Sequence, residues 1–389
     1  MNREFNYEQT TKICFGRGRL KELSSMASTF GKKVLLVTSN KNSTRKELYS
    51  KAREQLERNG LYVIHYDGVV QNPTTESIDA GVELARVQNV EVVIGLGGGS
   101  VMDSAKAIAM AAVNEGRAWD YLFFKTPQPQ RTLPMIAVPT TSGTGSQVTQ
   151  VAVMTETESS TKSAVANNLI YPRVAIIDPE LMLTMPPHIT ASTGFDAFCH
   201  CFESYINANA SPYTDMIALE GIRAVAAYLR RAVHDGQDLE AREGMAWADT
   251  CGGLAIANAG VTLPHGVGMT ISGHCPQIMH GESLALTYPS FLKFTCPGAM
   301  SKFAEVGRIF NPKLKDATDQ EAAEGCCGEV EKLMKEIGMW LNFKDFGVDI
   351  KMLKKIADRS HDLPDYKNNP VIADVDEIYK ELMEGYERV

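Results

Sequence analysis

Three of the eight histidines in this 389-residue chain fall within one stretch, HGVGMTISGHCPQIMHG, at residues 265–281. They are His265, His274 and His280. Imidazole nitrogens are common metal ligands, and imidazoles also act as general acids and bases near neutral pH. The stretch is therefore a candidate metal site or a candidate route for proton transfer.

A second pair of potential ligands lies in TGFDAFCHCFESY, where Asp196 and His200 are four residues apart. On a predicted helix this spacing places both side chains on one face, so that they could chelate one divalent cation. A surface ion pair or a hydrogen-bonded core pair explains the same spacing, and that alternative stays open. Together with His265 and His280, the pair would supply one oxygen and three nitrogens and leave room for an exogenous oxygen.

A glycine-rich turn, GLGGGSVMDSAK at residues 95–106, follows a predicted buried strand and opens a predicted helix. Glycines let the backbone approach a ligand, and the free N–H groups of a helix start attract phosphate. The spacing is not GxGxxG, and the turn follows the third predicted strand instead of the first. A tight structural turn, with Asp103 and Ser104 in the first helical turn, is the alternative.

A second polar loop, PTTSGTGS at residues 139–146, also follows a predicted buried strand. Loops at the carboxyl ends of parallel strands face the same crevice, where open α/β sheets bind ligands. A dinucleotide presents both phosphates and riboses, so two polar loops suit it. We therefore interpret the two loops as a dinucleotide site.

The elements that must position these loops alternate between two hydrophobic periods over residues 1–185. Such alternation predicts a doubly wound α/β domain with a parallel sheet. We expect strands at 32–39 and 61–67, a third strand that runs into the glycine-rich turn over 90–100, and further strand-and-turn segments at 134–146 and 173–180. Helices are expected at 43–60, 75–89 and 103–114.

From about residue 186 the hydrophobic pattern lengthens into helical segments, and few runs are typical of strands. The double proline Pro186–Pro187 stands where the pattern changes and is a plausible hinge. We expect an all-helical domain over residues 186–389, which would carry both groups of candidate metal ligands.

Length and composition limit the function classes. A chain of this size exceeds a single compact core, and two domains are the default. The net charge of −8 argues against nucleic acid and membrane partners, and no run of about 18 apolar residues or signal-like start occurs. We expect a cytoplasmic protein whose eight cysteines, with no CxxC pair, are mostly buried reduced thiols.

Five segments resemble the successive signature segments of the iron-dependent (group III) alcohol dehydrogenases, in order and over essentially the whole chain. They are GGGSVMDSAK, PTTSGTGS, DPELMLTMPP, GFDAFCHCFESY and PHGVGMTISGHCPQIMHGE. The resemblance implies a Rossmann-like nucleotide-binding domain followed by an all-α domain, the dehydroquinate synthase-like architecture, with the active site in the cleft between them. It also implies metal-dependent hydride transfer between NAD(P) and a small primary or secondary alcohol, diol or aldehyde, by a homodimer or larger homo-oligomer.

The resemblance maps the metal ligands onto Asp196, His200, His265 and His280. The name of the family favours Fe²⁺, although Zn²⁺ binds such ligands more tightly. Many members carry a further histidine where this chain has Met269, and His274 is the nearest replacement in catalysis, with a structural role as the alternative. The implied cofactor contacts are Asn72, Gly97, Gly98, Gly99, Ser100, Asp103, Thr140, Thr141, Thr144, Thr149 and Lys162.

Two positions bear on how the cofactor would be held. Without the resemblance, Lys162 is interpreted as a plain solvated lysine. Ser39 occupies the position where the family usually has an acid that repels a 2′-phosphate, and Asn40, Lys41 and Arg45 lie nearby. We therefore expect NADP(H) to be accepted, with NAD(H) as the alternative.

Three other functions fit parts of the pattern. A zinc-dependent glycerol or polyol dehydrogenase would share the ligands. A lyase resembling dehydroquinate synthase would use NAD only transiently. A non-catalytic nucleotide-binding protein on the same fold would not need the four ligand positions, and their presence argues against it.

Overall fold

The computed structural model describes residues 4–40, 44–122 and 128–388. It divides into two compact units, the first being Glu8–Met185. The second comprises the described residues from Pro186 onward together with those before Glu8. Lys41, one of the residues expected near the cofactor, lies outside the described residues.

The first unit is built on a six-stranded parallel sheet. The predicted doubly wound α/β fold is confirmed. The strands of the sheet are β1 Lys12–Phe15, β2 Lys33–Ser39, β3 Tyr62–Val69, β4 Val92–Gly97, β5 Met135–Pro139 and β8 Val174–Ile177, in the spatial order β1-β8-β5-β4-β2-β3. A separate antiparallel hairpin consists of β6 Val151–Glu156 and β7 Thr161–Ala166. The helices are α1 Leu23–Ala27, α2 Lys46–Arg58, α3 Thr75–Gln88 and α4 Gly99–Ala111.

Alternation along the central strands explains why the sheet is covered on both faces. Successive side chains of a strand point to opposite faces. In β2, Val34 and Leu36 belong to one hydrophobic cluster, whereas Leu35 and Val37 belong to another. All four side chains are fully buried, as parallel strands with helices on both sides require.

Two features of this unit differ from the sequence-based expectation. The short strand β1 and the hairpin β6–β7 were not predicted, so the glycine-rich turn follows the fourth strand and not the third. Helix α4 begins at Gly99, not at residue 103. Gly98 is the N-cap residue and Gly99 the first helical residue. Asp103 and Ser104 lie one turn further along and do not cap the helix.

The second unit is all-helical over its described residues, as predicted. Pro187 begins the first helix, a position where proline costs no hydrogen bond. The helices are α5 Pro187–Ile206, α6 Pro212–His234, α7 Leu239–Ala259, α8 Leu263–His274, α9 His280–Thr295, α10 Met300–Phe310, α11 Asp319–Glu336, α12 Ile350–Arg359 and α13 Val375–Glu387.

Helix α8 was not predicted because it contains three glycines, Gly266, Gly268 and Gly273, which are poor helix formers. Its other side chains explain why it forms nevertheless. Leu263, Val267 and Ile271 follow the helical period and are buried in the core of the unit. Tertiary burial therefore overrides the weak local propensity.

Two further expectations can be compared with the described residues. None of the described helices is both long and apolar enough to cross a membrane. All eight cysteines are unpaired, and six of them are buried, as the sequence predicts.

Helix α9 is held at its centre by the C-terminal residues of the chain. Pro289 lies inside α9 and leaves the Ala285 carbonyl without the N–H donor of a regular helix. Arg388 donates from Nη1 to this carbonyl and from Nη2 to that of Leu286, both at 3.0 Å. These contacts fix the helix that begins with the candidate ligand His280.

Helix α13 also carries a buried acid. Glu381 is 6% exposed, and burial together with Glu384 and Glu377 raises the pKa of its carboxyl to about 8. Because the unfolded chain ionises this group near 4.5, the folded state loses stability as the pH rises from about 4.5 through about 8.

We predict that Glu381→Gln raises the free energy of unfolding by roughly 2 kcal/mol at pH 8 and changes it little at pH 5. Urea denaturation at both pH values measures this difference. Glu387→Gln, an exposed position on the same helix, is the matched control and should leave both values unchanged. An equal effect of Glu381→Gln at the two pH values would contradict the prediction.

Candidate functional site

Helix α5 positions the first two candidate ligands of the second unit. Asp196 and His200 lie one helical turn apart and are 2% and 5% exposed. Asp196 Oδ1 is 3.9 Å from His200 Nε2. The pair is therefore an interior pair, and the interpretation of these residues as a surface ion pair is wrong.

Helices α8 and α9 bring the other two candidates to the same carboxylate. Asp196 Oδ1 lies 3.5 Å from His265 Nε2 and 3.9 Å from His280 Nε2. The rings of His200 and His265 stack with centroids 4.5 Å apart. Three imidazole nitrogens thus surround one carboxylate oxygen.

The arrangement fits a divalent cation. Two ligand atoms about 2.1 Å from a common ion at tetrahedral angles lie about 3.4 Å apart, close to the separations observed here. Single atoms of Asp196, His265 and His280 all lie within 4.8 Å of one another, with His200 adjacent to this group. Asp196 Oδ1 and His265 Nε2 are buried without a hydrogen-bond partner, which is costly unless a cation binds them.

The charges of the group are strongly coupled. Burial raises the pKa of Asp196, but His200, His265 and His280 outweigh burial and lower this pKa to about 2. Burial lowers the pKa of His265, whereas Glu203 and Asp196 raise it to about 10. The carboxylates therefore favour positive charge at this point, whether it is carried by protons or by a metal ion.

Glu203 is a site residue that the sequence reasoning missed. It is fully buried, and its Oε1 lies 2.8 Å from His265 Nδ1. Its Oε2 accepts from the backbone N–H and the hydroxyl of Thr262. Because the Glu203 oxygens accept hydrogen bonds here, Nδ1 donates in this contact, and Nε2 is the ring nitrogen that faces Asp196 and is available to a metal ion. The signal was the spacing, since Glu203 follows Asp196 by seven residues on one face of α5.

The structure does not bring His274 into this group. His274 ends α8, and its Nδ1 lies 3.1 Å from the Thr270 carbonyl oxygen. Burial lowers the pKa of its imidazole, and Lys355 and Arg359 on α12 lower it further. These contacts support the structural role for His274. Met269, at the position of the family histidine, is partly buried on α8.

In the first unit the two predicted loops lie against each other. They follow the neighbouring parallel strands β4 and β5, and Thr140 N donates to Gly97 O. A Cβ on Gly99 would lie 2.5 Å from Thr144, and one on Gly98 would lie 3.3 Å from Thr141. A side chain at Gly99 would overlap Thr144, so this glycine permits the close approach, and the resulting cradle of backbone suits a diphosphate.

Polar side chains behind the cradle are joined by hydrogen bonds. Ser146 Oγ donates to Asp103 Oδ1 at 2.6 Å, and Lys162 Nζ donates to Asn72 Oδ1 at 3.0 Å. Lys162 is 8% exposed, so its interpretation as a solvated lysine is wrong. Ser100 lies in the first turn of α4, and its carbonyl accepts from Ser104 Oγ.

Ser39 ends β2, at the same edge of the sheet as the two loops. Its hydroxyl lies 2.7 Å from the hydroxyl of Tyr49 on α2. Arg45 immediately precedes that helix. At this position the described residues contribute the neutral hydroxyl of Ser39, whereas a carboxylate would repel a 2′-phosphate.

Comparison with known proteins gives two adjoining family matches. The family model for iron-containing alcohol dehydrogenase matches residues 10–179. The model for the C-terminal part of the Fe-containing alcohol dehydrogenase family matches residues 190–385. Together they span both units.

Individual relatives match over nearly their full lengths. A choline dehydrogenase of Bacillus subtilis (strain 168) is 33% identical, over 95% of this chain and 92% of its own. An NAD-dependent methanol dehydrogenase of Bacillus methanolicus is 30% identical, over 93% and 95%. A solved 1,3-propanediol oxidoreductase is 30% identical with a TM-score of 0.93, over 99% and 100%.

We predict that His265→Ala and His280→Ala each lose bound metal, because each removes one nitrogen from around Asp196 Oδ1. Elemental analysis of the purified variants should show metal occupancy reduced at least tenfold. His274→Ala is the matched control and should keep the wild-type metal content. Unchanged metal in the first two variants would contradict the assignment.

Proposed function

The chain belongs to the iron-containing alcohol dehydrogenase family, and from this premise we propose that it transfers a hydride between NAD(P) and a small alcohol, diol or aldehyde. The observation that carries the proposal is the convergence of three imidazole nitrogens within 3.9 Å of one buried carboxylate oxygen. An oxidoreductase of this family needs such a ligand set, whereas a nucleotide-binding protein without catalytic activity does not.

We propose Asp196, His200, His265 and His280 as the ligands of an iron ion, with zinc as a substitute. A divalent cation with an open position supplies Lewis acidity toward an alcohol or carbonyl oxygen. Asp196 would offset part of the cation's charge, and the three imidazoles, bound as neutral rings, would offset none of it. Glu203 holds the His265 ring with Nε2 directed to the metal position, so it stabilises the ligand geometry without occupying a coordination position.

The first unit, residues 8–185, is proposed as the nucleotide-binding domain. The nicotinamide cofactor accepts or donates the hydride. The backbone of Gly97, Gly98, Gly99 and Ser100 would hold its diphosphate at the start of α4. Hydroxyl, carboxylate, amide and ammonium groups around this cradle would orient the rest of the cofactor; they are Asn72, Asp103, Thr140, Thr141, Thr144, Thr149 and Lys162.

The second unit is proposed as the metal-binding and substrate domain. Its relatives are named for choline, methanol and 1,3-propanediol, which share a primary alcohol on a short chain. We propose this substrate class for the present chain. Eight free cysteines are consistent with action in the reducing cytoplasm, and a homodimer or larger homo-oligomer is proposed from the family resemblance.

The proposed activity is tested with a panel of short alcohols, diols and the matching aldehydes, followed at the absorbance of the reduced nicotinamide. The enzyme loaded with Fe²⁺ should reduce NAD⁺ or NADP⁺ with at least one primary alcohol, and a chelator should abolish the reaction. Higher activity with Zn²⁺ and glycerol would favour a polyol dehydrogenase instead. Turnover without net formation of reduced cofactor would favour a lyase.

We predict that the neutral Ser39 permits NADP(H), so that Ser39→Asp lowers kcat/KM for NADP⁺ at least tenfold and leaves that for NAD⁺ within about threefold. The introduced carboxylate would repel the 2′-phosphate and accept a hydrogen bond from a ribose hydroxyl. Ser39→Asn, which adds a similar volume without charge, is the control. A wild-type enzyme that does not use NADP⁺ would contradict the prediction.

A further inference from the structure

A lysine that the sequence reasoning did not single out lies behind the glycine-rich turn. Lys106 is fully buried on α4 and is among the largest fully buried side chains of the chain. Lysine is rarely buried without a partner. Gly99, Asp103 and Lys106 follow one another at intervals of four and three residues, so they share one face of the helix.

The ammonium group of Lys106 binds the segment that leads into the β6–β7 hairpin. Its Nζ donates to Thr149 Oγ1 at 3.1 Å and to the Val151 carbonyl at 2.7 Å. The hairpin is not part of the six-stranded sheet. Lys106 therefore ties the helix that begins with the cradle to the hairpin that carries Lys162.

Charge gives Lys106 a second effect. Burial raises the pKa of the Asp103 carboxyl. The positive charges of Lys106 and Lys162 oppose this rise. Burial in turn lowers the pKa of Lys106 to about 8, opposed by Asp103. Asp103 and Lys106 therefore stabilise each other's ionised forms. Asp103 is the titratable group that faces Lys106, and Lys162 on β7 is a second charged group that faces Asp103.

We propose that Lys106 is a positioning residue for the dinucleotide, an inference that rests on the proposed function. Its ammonium orients the Thr149 hydroxyl, holds the hairpin against α4, and balances Asp103 beside a cradle that must take an anionic diphosphate. Without this charge the Asp103 carboxylate would repel the phosphates, and the hairpin would lose two hydrogen bonds to the helix.

The experiment measures the dissociation constant of NADH by fluorescence on the full-length protein as purified, with no alcohol present. Lys106→Met keeps the length of the side chain and removes the charge. We expect it to raise the dissociation constant at least tenfold at pH 7, with the circular dichroism spectrum unchanged. Lys51→Met, at an exposed lysine on α2, is the matched control and should bind like the wild type.

The pH profile separates positioning from mere packing. The wild-type dissociation constant should rise as the pH increases through about 8, because Lys106 then loses its proton. The Lys106→Met variant should bind weakly and show no such rise. Binding by Lys106→Met within twofold of the wild type, with the same pH profile, would overturn the inference.

Two further outcomes are decisive. If Lys106→Met does not fold, a wild-type dissociation constant that is flat from pH 7 to pH 9 overturns the inference, and a rise near pH 8 supports it. If the wild type binds neither NADH nor NADPH, the proposed function itself is wrong and this inference falls with it. Weaker NADH binding in Lys106→Met, with normal binding in the wild type, supports the inference and leaves the proposed function unaffected.

Discussion

The buried carboxylate of Asp196 is the constraint on which the helical unit depends. An ionised carboxylate that is 2% exposed is costly unless positive charge lies beside it. Here the neighbours are three imidazoles, whose nitrogens a metal ion can bridge in place of protons. The four side chains form a stable group only when a cation or protons occupy the space among them.

Three helices, α5, α8 and α9, supply the side chains of this group, and the surrounding residues hold them in place. Glu203 fixes the His265 ring from behind, and Gly268 and Gly281 allow close packing near His280 and against α5. In the helix that starts with His280, Arg388 donates to the Ala285 carbonyl that Pro289 leaves without a donor, and also to the Leu286 carbonyl. The proposed metal ligands therefore lie on helices, as a precise coordination geometry requires.

In the first unit, backbone groups at the start of α4 form the candidate binding surface. Gly98 and Gly99 have no side chains, so the two loops can approach each other closely at the start of α4. The N–H groups of a helix start attract phosphate. The buried pair Asp103 and Lys106 supports this helix and the adjoining hairpin. Charge in the interior is thus placed directly behind a surface suited to an anionic ligand.

Much of this could be predicted from the sequence where the signal was local. The Asp196–His200 spacing, the glycines after β4 and the alternation of strands and helices each reflect a single element. Long-range effects could not be predicted. Helix α8 is rich in glycine, and burial in the core stabilises it. The sequence gives no sign that Lys106 is buried, and Lys162 is interpreted as solvated although it is 8% exposed. Glu203 could have been found from its seven-residue spacing to Asp196, since the helix was already expected.

The most direct test is a crystal structure of the metal-loaded protein with anomalous diffraction measured on both sides of the iron absorption edge. The account predicts one strong anomalous peak about 2.1 Å from Asp196 and from the Nε2 atoms of His200, His265 and His280. A peak elsewhere in the protein, or well-ordered side chains at these four positions with no metal among them, would contradict it.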